Sequence, residues 1–103
     1  MKVVYYKTKD NKSPFKDWVI TLSSIIERRV YQRLSRIEEG NLGDYKPLKG
    51  ELYELRFFFD AGIRVYFTKQ NNTIILLLCG GNKKTQKKDI LTAREFIKQI
   101  KGV

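Results

Sequence analysis

The sequence predicts an α+β fold: an antiparallel sheet of about four strands, an N-terminal helical hairpin and a C-terminal helix, in a single domain over residues 1–103. Three observations carry the prediction. From Glu54 to Thr68, apolar and polar residues alternate with period two on both sides of a turn, as in a half-buried hairpin. Thr73 to Cys79 (TIILLLC) is apolar at almost every position, which suits a central strand buried on both faces. Capped segments on either side carry apolar residues at three- and four-residue spacing, as helices packed on a sheet do.

Lys2 to Lys7 (KVVYYK) is β-branched and aromatic and reads as the first strand. Thr8 to Lys12 is a polar turn. Ser13-Pro14 starts a short helix, because Ser caps and Pro is tolerated at the first helical position. Phe15, Trp18 and Leu22 share its buried face. Ser24 and Glu27 form a capping box for the next helix, whose stripe is Ile26, Val30, Leu34 and Ile37. Arg29, Arg33 and Arg36 run beside that stripe with Arg28 further round, either as a solvated face or as a dock for an acidic partner. Gly40 fits the C-cap, and Asn41 to Gly50 reads as a loop.

In the hairpin, Leu55, Phe57 and Phe59 share one face with Ile63, Val65 and Phe67. A three-residue turn, Asp60-Ala61-Gly62, with Gly62 left-handed would pair Phe57 with Val65 and Arg56 with Tyr66. The opposite face then carries Glu54, Arg56, Arg64 and Tyr66 and is expected to be open. Asn71-Asn72 makes a tight second turn, since Asn tolerates positive φ. The last strand is expected between the preceding strand and the N-terminal one. After Gly80-Gly81, Thr85 caps a final helix with the stripe Ile90, Ala93, Ile97 and Ile100.

The formal charge of +10 favours polyanionic or acidic partners: nucleic acid, an acidic protein, or a membrane surface, with nucleic acid ahead. One cysteine, Cys79, and no histidine make a zinc site and a disulfide untenable, exclude a His-based acid–base pair and suit a reducing cytoplasm. No stretch reads as a signal peptide or a membrane span, and no cofactor is expected.

Two places invite phosphate. Arg56 and Arg64 on adjacent strands present planar forks that match a phosphodiester, Tyr66 beside them stands to stack on a base or move a proton, and Lys49 approaches from the preceding loop. The turn from Gly80 to Lys88 combines glycines, exposed backbone N–H groups and a helix N-terminus ringed by Lys83, Lys84, Lys87 and Lys88. Its residues do not spell a P-loop. The alternatives are a solvated cross-strand cluster and tolerated surface charge.

The run GNLGDYKPLKGELYELRFFFDAGIRVYF, followed by TIILLLCGGNKKTQKKDI and a helix with Ala93, resembles the RelE/ParE superfamily of type II toxins, in particular the HigB-like addiction module killer proteins. The resemblance covers most of the chain and implies a RelE-like fold. It also implies a cognate antitoxin, helix-turn-helix and HigA-like, whose complex with the toxin binds operator DNA. RelE- and HigB-type toxins cut mRNA on the ribosome, whereas ParE-type toxins poison gyrase. The resemblance places Arg56 and Arg64 in the basic site and Lys49 in the loop before it. The chain departs from the best-understood nucleases in having no histidine and in ending its last strand at Cys79-Gly80-Gly81. That keeps gyrase inhibition and a plain nucleic-acid-binding module open. In a nuclease the RNA 2′-OH supplies the nucleophile, the arginines stabilise the phosphorane, and Tyr66, a lysine or Glu54 takes the proton, without a metal.

Overall fold

A computed structural model describes residues 1–59 and 62–102. The chain runs β1 (Lys2–Tyr5), α1 (Pro14–Val19), α2 (Ser24–Glu38), β2 (Tyr45–Leu48), β3 (Leu52–Arg56), β4 (Arg64–Gln70), β5 (Ile74–Gly81), a single 3-10 turn (Lys83–Thr85) and α3 (Gln86–Lys101). The sheet order is β1-β5-β4-β3-β2. β5 is therefore an inner strand, as its unbroken apolar run requires. β1 lies parallel to β5, and every other pairing is antiparallel.

The fifth strand, β2, arises within the expected loop. Its sequence, YKPL, has little strand propensity, and pairing with β3 forms it: Tyr45 opposite Leu55, Leu48 opposite Leu52. Pro47 is tolerated because β2 is an edge strand.

The first hairpin keeps its predicted faces but not its predicted pairs. Leu55 lies opposite Val65 and Arg56 opposite Arg64, and Phe57 N–H donates to the Ile63 carbonyl at 3.0 Å. The connection is thus Phe58 to Gly62 rather than three residues. Gly62 has the expected positive φ of 72°, while Asp60 and Ala61 of the expected turn lie outside the described residues. The correction is an even shift, so no side chain changes face. Asn71 and Asn72 both take positive φ (53° and 58°), as predicted for the second hairpin.

Ser13 caps α1 by accepting from Lys16 N–H. For α2 the cap is Ser23, one residue before the expected Ser24: its Oγ accepts from Ile26 N–H at 3.3 Å. Gly40 closes α2 with φ 96°. The two helices cover one face of the sheet. Phe15, Val19, Val30, Leu34 and Ile37 pack there against Leu55, Phe57, Val65, Phe67, Ile75 and Leu77.

The other face is not open. α3 lies across it, and Ala93 and Ile97 pack on Leu52, Tyr66, Leu76, Leu78 and Cys79. An irregularity in the β4–β5 pairing between Tyr66 and Phe67 turns both Leu78 and Cys79 toward this second core. Ile100, the last residue of the predicted stripe, is 37% exposed, and Phe96 joins the packing instead.

Gly80 and Gly81 belong to β5 and are buried, so they are not the flexible entry to an anion site. Each admits a neighbour from one face. A Cβ on Gly80 would lie 2.3 Å from the Trp18 ring, and one on Gly81 would overlap the Asp89 carboxylate. Gly80→Ala is therefore expected to lower stability by about 1–3 kcal/mol, the usual cost of overpacking a close contact. A urea titration checks it. An unchanged midpoint would mean that Trp18 swings away freely.

Candidate functional site

The chemistry gathers at one end of the sheet, where β3 ends, β4 begins and α3 starts. Period-two alternation sends Glu54, Arg56, Arg64 and Tyr66 to the α3 side. Pairing then sets Glu54 opposite Tyr66 and Arg56 opposite Arg64, so the four form one block on two neighbouring strands.

Glu54 is the centre of this block. It is buried at 2% exposure. Three groups converge on its Oε2: Tyr66 Oη donates at 3.1 Å, Gln86 Nε2 donates at 2.8 Å, and Arg64 Nε stands 3.6 Å away. Such an ion is held in a core only by this degree of polar compensation. Arg64 also donates through Nη1 to the Gly62 carbonyl at 2.7 Å. Arg56 pairs with Asp44, Nε to Oδ2 at 3.3 Å, and both side chains remain about one-third exposed (37% and 34%).

Both ion pairs are long for charge-assisted bonds. Asp44 Oδ2, Arg56 Nε and Arg64 Nε are buried atoms without an aligned hydrogen-bond partner among the described residues. The two Nε–carboxylate contacts are thus held by charge more than by directed bonds, whereas Arg64 Nη1 donates to the Gly62 carbonyl at 2.7 Å and Arg56 Nη2 to Asp44 Oδ1 at 3.4 Å. The carboxylates occupy positions that phosphate oxygens would also suit.

Tyr66 sits differently from its expected place. Its ring is fully buried, so it offers no stacking surface to a base. Burial first, then the charge of and hydrogen bond to Glu54, push its phenol far above the ordinary tyrosine value, against a small opposing pull from Arg64. Tyr66 therefore keeps its proton at neutral pH and acts as a donor to Glu54.

Lys49 is not part of the cluster. It lies in the turn before β3, whereas Arg56 is the last residue of that strand, on the order of 13 Å further along. Its carbonyl instead accepts from Arg94 of α3. Lys83, by contrast, lies beside Gly62, two residues before Arg64: a Cβ on Gly62 would lie 3.4 Å from Lys83 Cβ.

Lys83, Lys84, Lys87 and Lys88 are all exposed around the start of α3, as expected. Three of the N–H groups there, those of Asn82, Lys84 and Thr85, are already engaged by side chains, which leaves fewer donors for an anion than the sequence suggests. Asn82 Oδ1 accepts from Lys84 N–H and Thr85 N–H, and Thr85 Oγ1 accepts from Asn82 N–H and donates to Asp89 Oδ2. The cap is Asn82, not Thr85, and Asp89 in the first turn partly offsets the lysines against the helix dipole.

Two positioning residues, Gln86 and Asp44, escaped the sequence reading, and a third, Arg33, was read only as part of the arginine row of α2. Gln86 lies four residues before Ile90 and seven before Ala93, a polar side chain on the core-facing stripe of α3, and that periodicity was a usable signal. Arg33 lies three residues after Val30 and four before Ile37, on the flank of the buried stripe of α2. It donates to the Leu42, Asp44 and Arg56 carbonyls, with 2.6 Å to the last two, and so ties α2 to the end of β3. Burial pulls its guanidinium below the ordinary value, Asp44 opposes that, and Arg36 reinforces it. Asp44 had no local signal, because only the β2–β3 pairing brings it to Arg56.

Cys79 borders the site at the back, donating through Sγ to the Asp89 carbonyl at 3.7 Å. Burial, with Asp89 adding to it, pushes the thiol up to about 12. A thiol raised on folding favours the folded state only while protonated. Its stabilisation is complete below about pH 8.5, the unfolded thiol value, and is lost as pH rises from there toward 12. Thermal melts between pH 7 and pH 11 are expected to fall above about 8.5, and Cys79→Ala is expected to flatten part of that fall. Identical pH profiles for the two proteins would contradict it.

Among the described residues no group of His, Cys, Asp and Glu could hold a metal ion, and no helix is long and apolar enough to cross a membrane.

A protein of Haemophilus influenzae described as "Uncharacterized protein" is 36% identical over 87 residues, covering 84% of this chain and 88% of that one. The family model "Phage derived protein Gp49-like" matches residues 17–98, which takes in α2, all strands but β1, and the whole cluster around Glu54. On this match the chain belongs to the Gp49-like family of phage-derived proteins, a type II toxin-like family related to RelE/ParE.

Proposed function

We propose that this protein is the toxin of a type II toxin–antitoxin system, HigB-like in action: a metal-independent, ribosome-dependent mRNA endonuclease that stops translation. The observation that carries the reading is the block of Arg56, Arg64, Glu54 and Tyr66, two arginines and a proton acceptor on adjoining strands at one sheet end. An RNA phosphate displaces Asp44 from Arg56, which is the more exposed arginine, and comes to lie between Arg56 and Arg64. The 2′-oxygen attacks phosphorus and the P–O5′ bond breaks, giving a 2′,3′-cyclic phosphate and a 5′-hydroxyl. The arginines stabilise the charge that builds on the phosphorane. Glu54 is 2% exposed and its Oε2 is engaged by Tyr66, Gln86 and Arg64, so in this reading it takes the 2′-OH proton through Oε1 once RNA binding has parted it from Gln86. Tyr66 and Gln86 position Glu54, and the leaving oxygen takes its proton from water. The exposed lysines Lys83, Lys84, Lys87 and Lys88 bind the RNA backbone, and Lys49 extends that basic surface at the far end of β3.

The partners in this reading are mRNA, the ribosome and a cognate HigA-like helix-turn-helix antitoxin whose complex binds operator DNA, all in the cytoplasm. A second reading, non-enzymatic inhibition of gyrase, draws support from the absence of histidine. Mapping RNA 5′ ends after induced expression separates the two. New ends within coding frames, with chromosomal DNA intact, are expected. Double-strand DNA breaks with unchanged RNA ends would favour gyrase.

A further inference from the structure

On the helical side of the same strands, α2 and the segment after β3 enclose a groove of about 280 Å³ that the chemistry above does not use. Its walls are Arg29, Gln32, Arg33 and Arg36 on one side and Phe57, Phe58 and Phe59 on the other. Phe58 is 85% exposed, an unusual position for a phenylalanine in so polar a surface. Among the described residues no carboxylate forms an ion pair with Arg29 or Arg36.

From this geometry we infer that the groove docks an acidic segment of a partner protein, carboxylates on Arg29 and Arg36 and an apolar side chain on Phe58. Charge complementarity selects the acidic character, in a chain of net charge +10 whose groove rim is cationic and whose floor is apolar. The aromatic faces select protein over nucleic acid. Arg33 covers the Phe57 ring at 4.8 Å and Arg29 the Phe59 ring at 5.1 Å, so two of the three phenyl rings are already stacked and unavailable to bases. Arg33 spends its donors on backbone carbonyls, which leaves Arg29, Arg36 and the Gln32 amide to meet a peptide. The occupant sits on the face opposite Glu54 and Arg64, so it fastens the partner without filling the candidate catalytic block.

The test is fluorescence anisotropy on the purified chain with three labelled probes: an acidic peptide of Glu, Gly and Ser, the same peptide with Leu-Trp at its centre, and a single-stranded RNA oligonucleotide. The Leu-Trp peptide is expected to bind about tenfold more tightly than its plain counterpart, an advantage that Phe58→Ala removes. Arg36→Glu is expected to weaken both peptides by about tenfold, while RNA affinity changes by less than about twofold in either variant. Phe58 and Arg36 are both exposed, so both variants are expected to fold, which thermal melts check. Equal affinity for the two peptides, or an unaffected Phe58→Ala, would overturn the inference. So would an equal loss of RNA binding, which would assign the groove to nucleic acid. Binding is the only readout, so this result is separate from that of the toxin reading, which is read by growth arrest and RNA ends.

Discussion

Arg56→Ala is expected to abolish growth arrest on induction and to leave a folded protein. Its ion pair with Asp44 is about one-third exposed on both sides, and pairs of that kind are worth about 0–1 kcal/mol. Losing a charge aimed at a phosphorane costs far more, on the order of 3 kcal/mol or about a hundredfold in rate. Arg56→Lys is expected to rescue poorly, since an ammonium offers a point charge without the planar fork. Arg64→Ala is also expected to abolish arrest, but with a structural cost that its place in the sequence did not announce. Its partner Glu54 is almost wholly buried and would retain only Tyr66 and Gln86, so stability falls by about 1–3 kcal/mol. Growth curves beside thermal melts check both. A folded Arg56→Ala with full toxicity would remove Arg56 from the site.

Phe57→Ala is expected to lose activity by the other route, unfolding. Phe57 is 4% exposed, in edge contact with Phe59 at 5.6 Å and beneath Arg33 at 4.8 Å. Truncating a buried phenylalanine costs about 3–5 kcal/mol. In a domain of this size that lowers the melting temperature by roughly 15 °C or more. Phe57 is also the residue whose N–H begins the β3–β4 connection, so its loss loosens the strand end that carries Arg56. A melt within a few degrees of the parent would show that the two-helix face contributes less to the core than its burial implies.

The contrast between these variants was legible in the sequence through parity alone. Alternation placed Phe57 and Arg56 on opposite faces, and the shift in register left that intact because it was even. What parity could not supply was cover. α3 carries an apolar stripe, but nothing local says which face of the sheet it meets. The face expected to be open is therefore the one that buries Glu54 and Tyr66. The same gap hid β2, whose YKPL sequence becomes a strand only by pairing with β3, and with β2 it hid the Asp44–Arg56 pair. The glycines were misread for a related reason. Gly80-Gly81 looked like a flexible turn, while its purpose is to admit Trp18 from one side and Asp89 from the other. Long-range contacts, not local propensity, decide each of these.

The measurement that bears most directly on the arginine–carboxylate block is cleavage of a defined mRNA on purified ribosomes, with the products mapped and their ends identified. The wild-type chain is expected to cut within the reading frame and leave a 2′,3′-cyclic phosphate and a 5′-hydroxyl, and folded Arg56→Ala to cut at least about a hundredfold more slowly. Intact mRNA with the wild-type chain, or equal cleavage by Arg56→Ala, would contradict the assignment.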